Sequence, residues 1–279
     1  MATQLILLGT GTPEADPDRS SAGLMVKYDG FALQFDAGRA VVLRIAASGT
    51  PLDAVESLFI THRHSDHVSG VAELAMGRWF LARRAGRISR LPIYLPTGDA
   101  AAVVTRLLDV WLEEIGEVAL GQPSEVLADL HEFDFGDDPR EVWTAGDVRV
   151  QAVAVPHGPP AVAYRIDTPD GAIVFSGDTP VCQTVERLAH GARVLVHESN
   201  RLRLFKDHPE APPDMGKPHA DTLELGAMAH RTRVPTLILT HFLPTPRTDR
   251  HRAGFAKDVR AGGYEGELIL GHDLYTYTL

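Results

Sequence analysis

The chain has 279 residues, 44% of them hydrophobic and 23% charged, which is enough to bury a sizeable core in one large domain or two smaller halves. A formal net charge of -10 excludes bulk attraction to nucleic acid or anionic membranes, so any anionic ligand needs a local positive site. One cysteine, Cys182, excludes an intramolecular disulfide and suits a reducing, cytoplasmic setting.

The opening "MATQLILLGTGTPE" lacks a basic start, and its apolar run breaks at Gly9, so it reads as a first strand rather than a signal peptide. No run approaches the ~18 apolar residues of a membrane span. "LMVKYDG" and "FALQFDAG" follow as a strand pair joined by an Asp-Gly turn. A helix fits "AVVLRIAASG", with Gly49 as its stop, before the strand "SLFIT". "VAELAMGRWFLARRAG" and "AAVVTRLLDVWLEEIG" have helical spacing, with the strand "LPIYLPTG" between them.

Beyond the acidic stretch "HEFDFGDDPREV", strands return as "VRVQAVAVPHG", "AVAYRIDTPDG", "AIVFSGDTP" and "ARVLVHESN". A helix "TLELGAMAHRTR", the strand "TLILTH" and a closing "ELILGHDLYTYTL" complete the chain. The pattern of strands first and helix afterwards thus occurs twice. It predicts two β-rich layers with helices outside, divided near residue 147, and a helical insertion around residues 74 to 147.

Within "FITHRHSDHVSG", three histidines and an aspartate occupy six positions after an apolar run. His62 and His64 are two apart on an extended strand end and point the same way. Asp66 and His67 follow the turn, at the start of the next helix, and reach a second point nearby. Imidazole nitrogen and carboxylate oxygen are zinc ligands, and this geometry suits two metals. Further polar residues follow apolar runs downstream: His157 in "AVPHG", Asp178 in "FSGDT" and His241 in "LILTHF". That placement puts them at strand ends, where the functional residues of sheet scaffolds sit.

"THRHSDH" matches the HxHxDH motif of the metallo-β-lactamase fold, and His157, Asp178 and His241 match that superfamily's remaining ligand motifs in order. The chain therefore resembles a dinuclear zinc hydrolase with a four-layer αβ/βα sandwich, from "LLGTGTP" to "GHDLYTYTL". The resemblance implies one metal on His62, His64 and His157, a second on Asp66, His67 and His241, and Asp178 bridging both. It also implies a hydroxide shared by the two ions as nucleophile. Diiron flavoprotein members of the superfamily carry a carboxylate where His64 stands, so histidine there favours hydrolysis over oxygen reduction. Zinc is the expected metal, with manganese or iron compatible with the same ligands.

"LLGTGTPEADPDRSSAGLMV" and "KPHADTLELGAMA" resemble the ribonuclease Z-like branch, which includes tRNA 3′-processing enzymes and relatives that cut small sulfate (arylsulfatase-like) or phosphate esters. By that resemblance His219 assists the leaving group and Glu198 in "VHES" orients it, while Asp66 joins them among the catalytic residues. The lesser reading of His219 is an exposed loop histidine beside Pro218, and an N-cap role for Asp221 is compatible with either. Asp36 in "FDAG" is either a support for the metal histidines or a turn aspartate before Gly38. His131, His190, His208, His230 and His251 lie in polar or helical surroundings without a pattern. His197 and His272 end strands without a motif position, and Cys182 reads as a small buried side chain.

The long basic arm of tRNA-processing members has no counterpart in residues 98 to 147, and "THFLPTPR" and "HADT" depart from that branch's pattern. With 37 acidic against 27 basic residues, binding tRNA needs a local patch; the densest basic cluster, "RRAGRISR" at 83 to 90, is read as a solvated helix end in preference to that patch. The expectation is a cytoplasmic hydrolase of a small-molecule ester: phosphodiester, sulfate ester or lactone-like. The tRNA 3′-processing endonuclease is the nearer alternative and a metal-stabilised binding protein the more distant. Leu74, Phe80, Leu81, Leu108, Trp111 and Ile115 are read as a pocket cap, a homodimer face or plain core. The proline-rich loop 199 to 218 and residues 74 to 147 are the two candidates for a lid.

Overall fold

The computed structural model describes residues 2–111, 114, 126–205 and 218–279. The chain forms two compact units, residues 1–134 with 273–278, and residues 135–272 with 279. The division read near 147 thus falls at 134, and the C-terminal strand joins the first unit rather than the second.

The first unit holds β1 (Gln4–Gly9), β2 (Gly23–Tyr28), β3 (Phe31–Phe35), α1 (Val41–Ala47), β4 (Ser57–Phe59), α2 (Ser65–Val68) and α3 (Val71–Arg84). It continues with β5 (Leu91–Pro96), α4 (Ala100–Asp109) and β6 (Ala128–Phe133), and β14 (Thr276–Thr278) returns to it. The sheet order is β14-β1-β2-β3-β4-β5-β6. The β2–β3 hairpin turns on Asp29 and Gly30, both at positive φ (43° and 89°), as the Asp-Gly pair predicts. From β3 onward the strands are parallel, and helices make the crossovers that parallel pairing requires.

Alternation builds the core. Ile6 and Leu8 of β1, Met25 of β2 and Leu58 of β4 pack with Val41 and Ile45 of α1 and with Val71, Leu74 and Ala75 of α3. The alternating set, including Leu5, Leu7, Leu24, Phe35 and Phe59, is equally closed to solvent, so both faces of this sheet are covered. Sheets buried on both faces read as continuous apolar runs, which is why these strands were legible.

The second unit repeats the plan with β7 (Arg140–Ala145), β8 (Val148–Ala154), β9 (Val162–Thr168), β10 (Gly171–Phe175), α5 (Gln183–Leu188) and β11 (Val194–Asn200). It ends in α6 (Thr222–Thr232), β12 (Thr236–Leu243), α7 (Asp249–Ala261) and β13 (Glu267–Leu270), with sheet order β13-β12-β11-β10-β9-β8-β7. Four strands are antiparallel and the last four, counted from β10, are parallel. Every residue of β11 is buried.

Four elements differ from the sequence reading. β6 and β7 are edge strands, half exposed, so their residues show no apolar run; "ADLHEF" and "REVWTA" fell in or beside the acidic stretch read as a break. Besides the strand read at "LPIYLPTG", which is β5, the helical insertion read over 74 to 147 therefore also contains β6 and β7. α5 is only six residues, and α7 buries just Phe255, Asp258 and Val259 on a polar helix. Leu74 and Leu108 are core, whereas Phe80 and Trp111 are exposed; Ile115 and most of the 199 to 218 loop lie outside the described residues. Cys182 is half-buried rather than buried. No described helix is long and apolar enough to cross a membrane.

Candidate metal centre

In each unit the chemistry-bearing residues cluster at the carboxyl ends of strands, parallel ones except for His157, which follows the antiparallel β8. In the first unit, Asp36 ends β3, and Thr61, His62 and His64 follow β4, leading into α2 with Asp66 and His67. His62 and His64 do face the same way: His62 Nε2 lies 3.0 Å from His64 Nδ1.

The two segments are held together by backbone contact. Ala37 N–H donates to His67 O (2.8 Å), and Gly70 N–H donates to Ala37 O (2.8 Å). A Cβ on Gly38 would lie 2.0 Å from Asp66 O, so only glycine permits this approach. Asp36 sits at φ 54°, an uncommon conformation for a side chain-bearing residue, and is fully buried.

Asp36 is a support rather than a turn residue alone. Its Oδ1 accepts Thr61 N–H (2.8 Å), and its Oδ2 accepts the Thr61 hydroxyl (2.8 Å) and His67 Nδ1–H (2.7 Å). Because that hydroxyl donates to Asp36, Thr61 Oγ1 accepts from His62 Nδ1 at 3.0 Å. Both imidazoles are thereby held as Nδ1–H tautomers, with Nε2 as the basic nitrogen. Metal-binding histidines are oriented in this way. Asp66 Oδ2 lies 3.6 Å from His67 Nε2.

In the second unit, His157 follows β8, Asp178 follows β10 and His241 lies in β12. His157 Nδ1 donates to Pro218 O (3.1 Å), which again leaves Nε2 as the base. Asp178 Oδ2 is 3.9 Å from His157 Nε2 and 3.4 Å from His241 Nε2. The β11–β12 ladder pairs Glu198 with Thr240 but Ser199 with Phe242, so His241 is the extra residue of a bulge, at φ 47°. A bulge re-aims a side chain that a regular strand would point elsewhere.

The donor set fits divalent ions. Nitrogen and carboxylate ligands sit about 2.0–2.2 Å from zinc, so two donors of one tetrahedral ion are about 3.3 Å apart. The 3.0 Å and 3.4 Å separations of His62 from His64 and of His241 from Asp178 are of that size.

Beside Asp178 and His241 stands a different pair. His219 Nδ1 donates to both oxygens of Glu198, at 3.1 Å and 2.9 Å, and its ring lies 6.0 Å from that of His241 and 5.4 Å from that of His157. Thr179 N–H donates to Glu198 Oε1 (2.5 Å), and the Asn200 amide donates to Oε2. Burial pushes the Glu198 carboxyl up more than the His219 hydrogen bond pulls it down, so its net shift is upward. Its three side-chain contacts are all N–H donors, which a carboxylate accepts, and this geometry assigns the pair's shared proton to His219. Burial works to lower the His219 pKa, but the hydrogen bond and charge of Glu198 outweigh it and the net shift is upward. Glu198, His219 and His241 each bring a ligand atom within 4.8 Å of one another. Both oxygens of Glu198 are engaged by N–H donors. Asp221 caps α6 by accepting Leu223 N–H at 2.9 Å.

Sequence reasoning missed Thr61 and Asn200, which carry no motif of their own; only their contacts with Asp36 and Glu198 reveal them. His197 does not line the cluster as a ligand: it is fully buried within β11, with Nδ1 donating to Glu198 O at 2.9 Å.

The chain matches the family described as Anti-Pycsar protein Apyc1 over residues 3–264. It is 30% identical to a protein named Ribonuclease Z from Mycobacterium bovis (strain BCG / Pasteur 1173P2), over 98% of this chain and 96% of that one. The fold is similar to that of the metallo-beta-lactamase fold protein YhfI from Bacillus subtilis, with a TM-score of 0.77 at 18% identity over 100% of both chains. It is also similar to that of Zn(2+)-bound PqqB from Methylobacterium extorquens, with a TM-score of 0.72 at 14% identity, covering 99% of this chain and 100% of that one. Two seven-stranded mixed sheets with helices and His/Asp clusters at their strand ends are thus those of a metallo-hydrolase of the metallo-β-lactamase fold. Within that class the chain belongs to the Anti-Pycsar protein Apyc1 family and is a homologue of ribonuclease Z.

Proposed function

We propose that the protein is a metal-dependent phosphodiesterase acting on a small-molecule ester. His62, His64 and His157 would hold one divalent ion, and Asp66, His67 and His241 a second, with Asp178 shared, as the ligand motifs imply. Zinc suits these donors. When bound, such ions supply Lewis acidity at a substrate oxygen and lower the pKa of a water towards ~7.

The chain's own residues supply the rest. Asp36 and Thr61 hold His67 and His62 in the ligand tautomer. Asp66 adds a carboxylate that also accepts a proton from the attacking water. His219, protonated through its bond to Glu198, donates from Nε2 to the leaving oxygen as the phosphorus–oxygen bond breaks, while Glu198 keeps Nδ1–H in place. The observation that carries this reading is the His219–Glu198 pair beside Asp178 and His241, since an oriented imidazolium is an acid for an alkoxide or phenoxide leaving group. Cleavage at phosphorus is favoured over sulfate or acyl esters because the ribonuclease Z relatives are named for RNA, a phosphodiester.

A tRNA 3′-processing reading is favoured by those same relatives, 30% identical over 98% of the chain. Against it, two of the four arginines in the basic run at 83 to 90 are paired with carboxylates of the chain, Arg87 with Asp53 and Arg90 with Asp129. Zinc-loaded protein incubated with bis(4-nitrophenyl) phosphate and with a 3′-extended precursor tRNA, with His64→Ala as blank, separates the two. Hydrolysis of the small ester alone is the expected result. Cleavage at the tRNA 3′ end would reverse the ranking.

A further inference from the structure

The His219–Glu198 pair is held by a third residue with no assigned role. Asn200 is 1% exposed and lies two residues beyond Glu198 on β11, on the same side of the strand. Its side-chain amide donates to Glu198 Oε2, opposite the Thr179 N–H on Oε1, so the carboxylate is gripped from both ends. Its backbone reaches the other partner: Asn200 N–H donates to Ala220 O (3.0 Å), its carbonyl accepts the Thr222 hydroxyl (2.8 Å), and it bridges to Asp221 in parallel. Those three residues follow His219 directly.

We propose that Asn200 is the positioning residue of the acid, setting the Glu198 carboxylate and the His219 segment in register with one another. This rests on the reading of His219 as proton donor. One residue thereby fixes both members of the pair: the side chain aims the acceptor and the main chain holds the donor's loop. The requirement is specific to asparagine. Aspartate has the same shape but, when ionised, offers no donor to a carboxylate. Loss of the donor frees Glu198 to turn about Thr179, and His219 loses the orientation that delivers its proton.

The test is Asn200→Asp in zinc-loaded protein, alone and combined with His219→Ala. The probes are bis(4-nitrophenyl) phosphate, with a good leaving group, and diphenyl phosphate, with a poor one. Expected for Asn200→Asp is a fall in kcat of roughly 10-fold or more on diphenyl phosphate, with little change on the nitrophenyl ester, in KM or in metal content. In the His219→Ala background the second substitution should add nothing. The imidazole Nδ1–H resonance of His219 in nitrogen-15 spectra should shift or broaden in Asn200→Asp. Equal losses on both esters, independent losses in the double variant, or an unmoved resonance would overturn the proposal. Should His219→Ala slow neither ester, the proton-donor reading fails, and the resonance alone then decides whether Asn200 orients the pair. Asn200→Ser, which withdraws the donor by shortening it, serves the same comparison if the aspartate variant does not fold.

Discussion

His67 Nδ1 donates to Asp36 Oδ2 across 2.7 Å, with both side chains closed to solvent, and this bond fixes which imidazole nitrogen is left for a metal. Asp36 serves Thr61 and, through it, His62 as well. One carboxylate at the end of β3 therefore orients two candidate ligands that come from the next strand and helix.

Asp36→Asn should weaken metal binding about 10- to 100-fold, because the amide cannot accept all three hydrogen bonds with the same strength. Titration of chelator-treated protein with zinc, read by calorimetry, measures this. Unchanged affinity would return Asp36 to the role of a turn residue.

Wild-type protein prepared without chelator should carry about two divalent ions per chain, as the seven ligand-type residues imply. Asp178→Ala should lose both or nearly both, since a shared ligand serves two ions. Elemental analysis of the two proteins decides it, and full occupancy in the variant would sink the bridging assignment.

His219→Ala should keep its metals yet slow diphenyl phosphate hydrolysis by roughly 10² to 10⁴, with a much smaller effect on bis(4-nitrophenyl) phosphate, whose leaving group needs little protonation. Steady-state kinetics on both esters test it. Equal losses would point to a structural defect.

Gly38→Ala should destabilise the first unit by about 1–3 kcal/mol, because the new Cβ would meet Asp66 O at 2.0 Å. The backbone must shift where it touches α2, so metal affinity should fall along with the unfolding midpoint in urea. A variant with unaltered midpoint and affinity would show that the loop adjusts freely.

His197 ties stability to pH. Burial, only partly opposed by the Glu198 carbonyl and the Asp178 charge, pushes its pKa down to about 4 from the free-imidazole value of 6.5. The unfolded chain therefore takes up the proton first as pH falls. Stability is complete above about 6.5 and declines between there and about 4, by roughly 3 kcal/mol at 1.36 kcal/mol per pH unit. Urea unfolding at several pH values should show a shallower decline for His197→Gln than for wild type, and parallel curves would remove His197 as the cause.

Much of this was legible in the sequence because its signals are local. Strands covered on both faces appear as apolar runs, the Asp-Gly turn announces its hairpin, and a helix start at Ser65 follows from the spacing of His62, His64, Asp66 and His67. The candidate ligands could be named because each polar residue interrupts an apolar strand. β6, β7 and α7 were hidden because half-exposed edges and a narrow apolar stripe leave no run to read. What only the tertiary structure decided are particular contacts between residues remote in sequence: Asp36 with His67 and Thr61, and Asn200 with both sides of the Glu198–His219 pair that the resemblance had named. The bulge that turns His241 towards Asp178 belongs with them. A hydrogen bond depends on where two strands end relative to each other, and that register is set by packing of the whole sheet, which no short stretch of sequence contains.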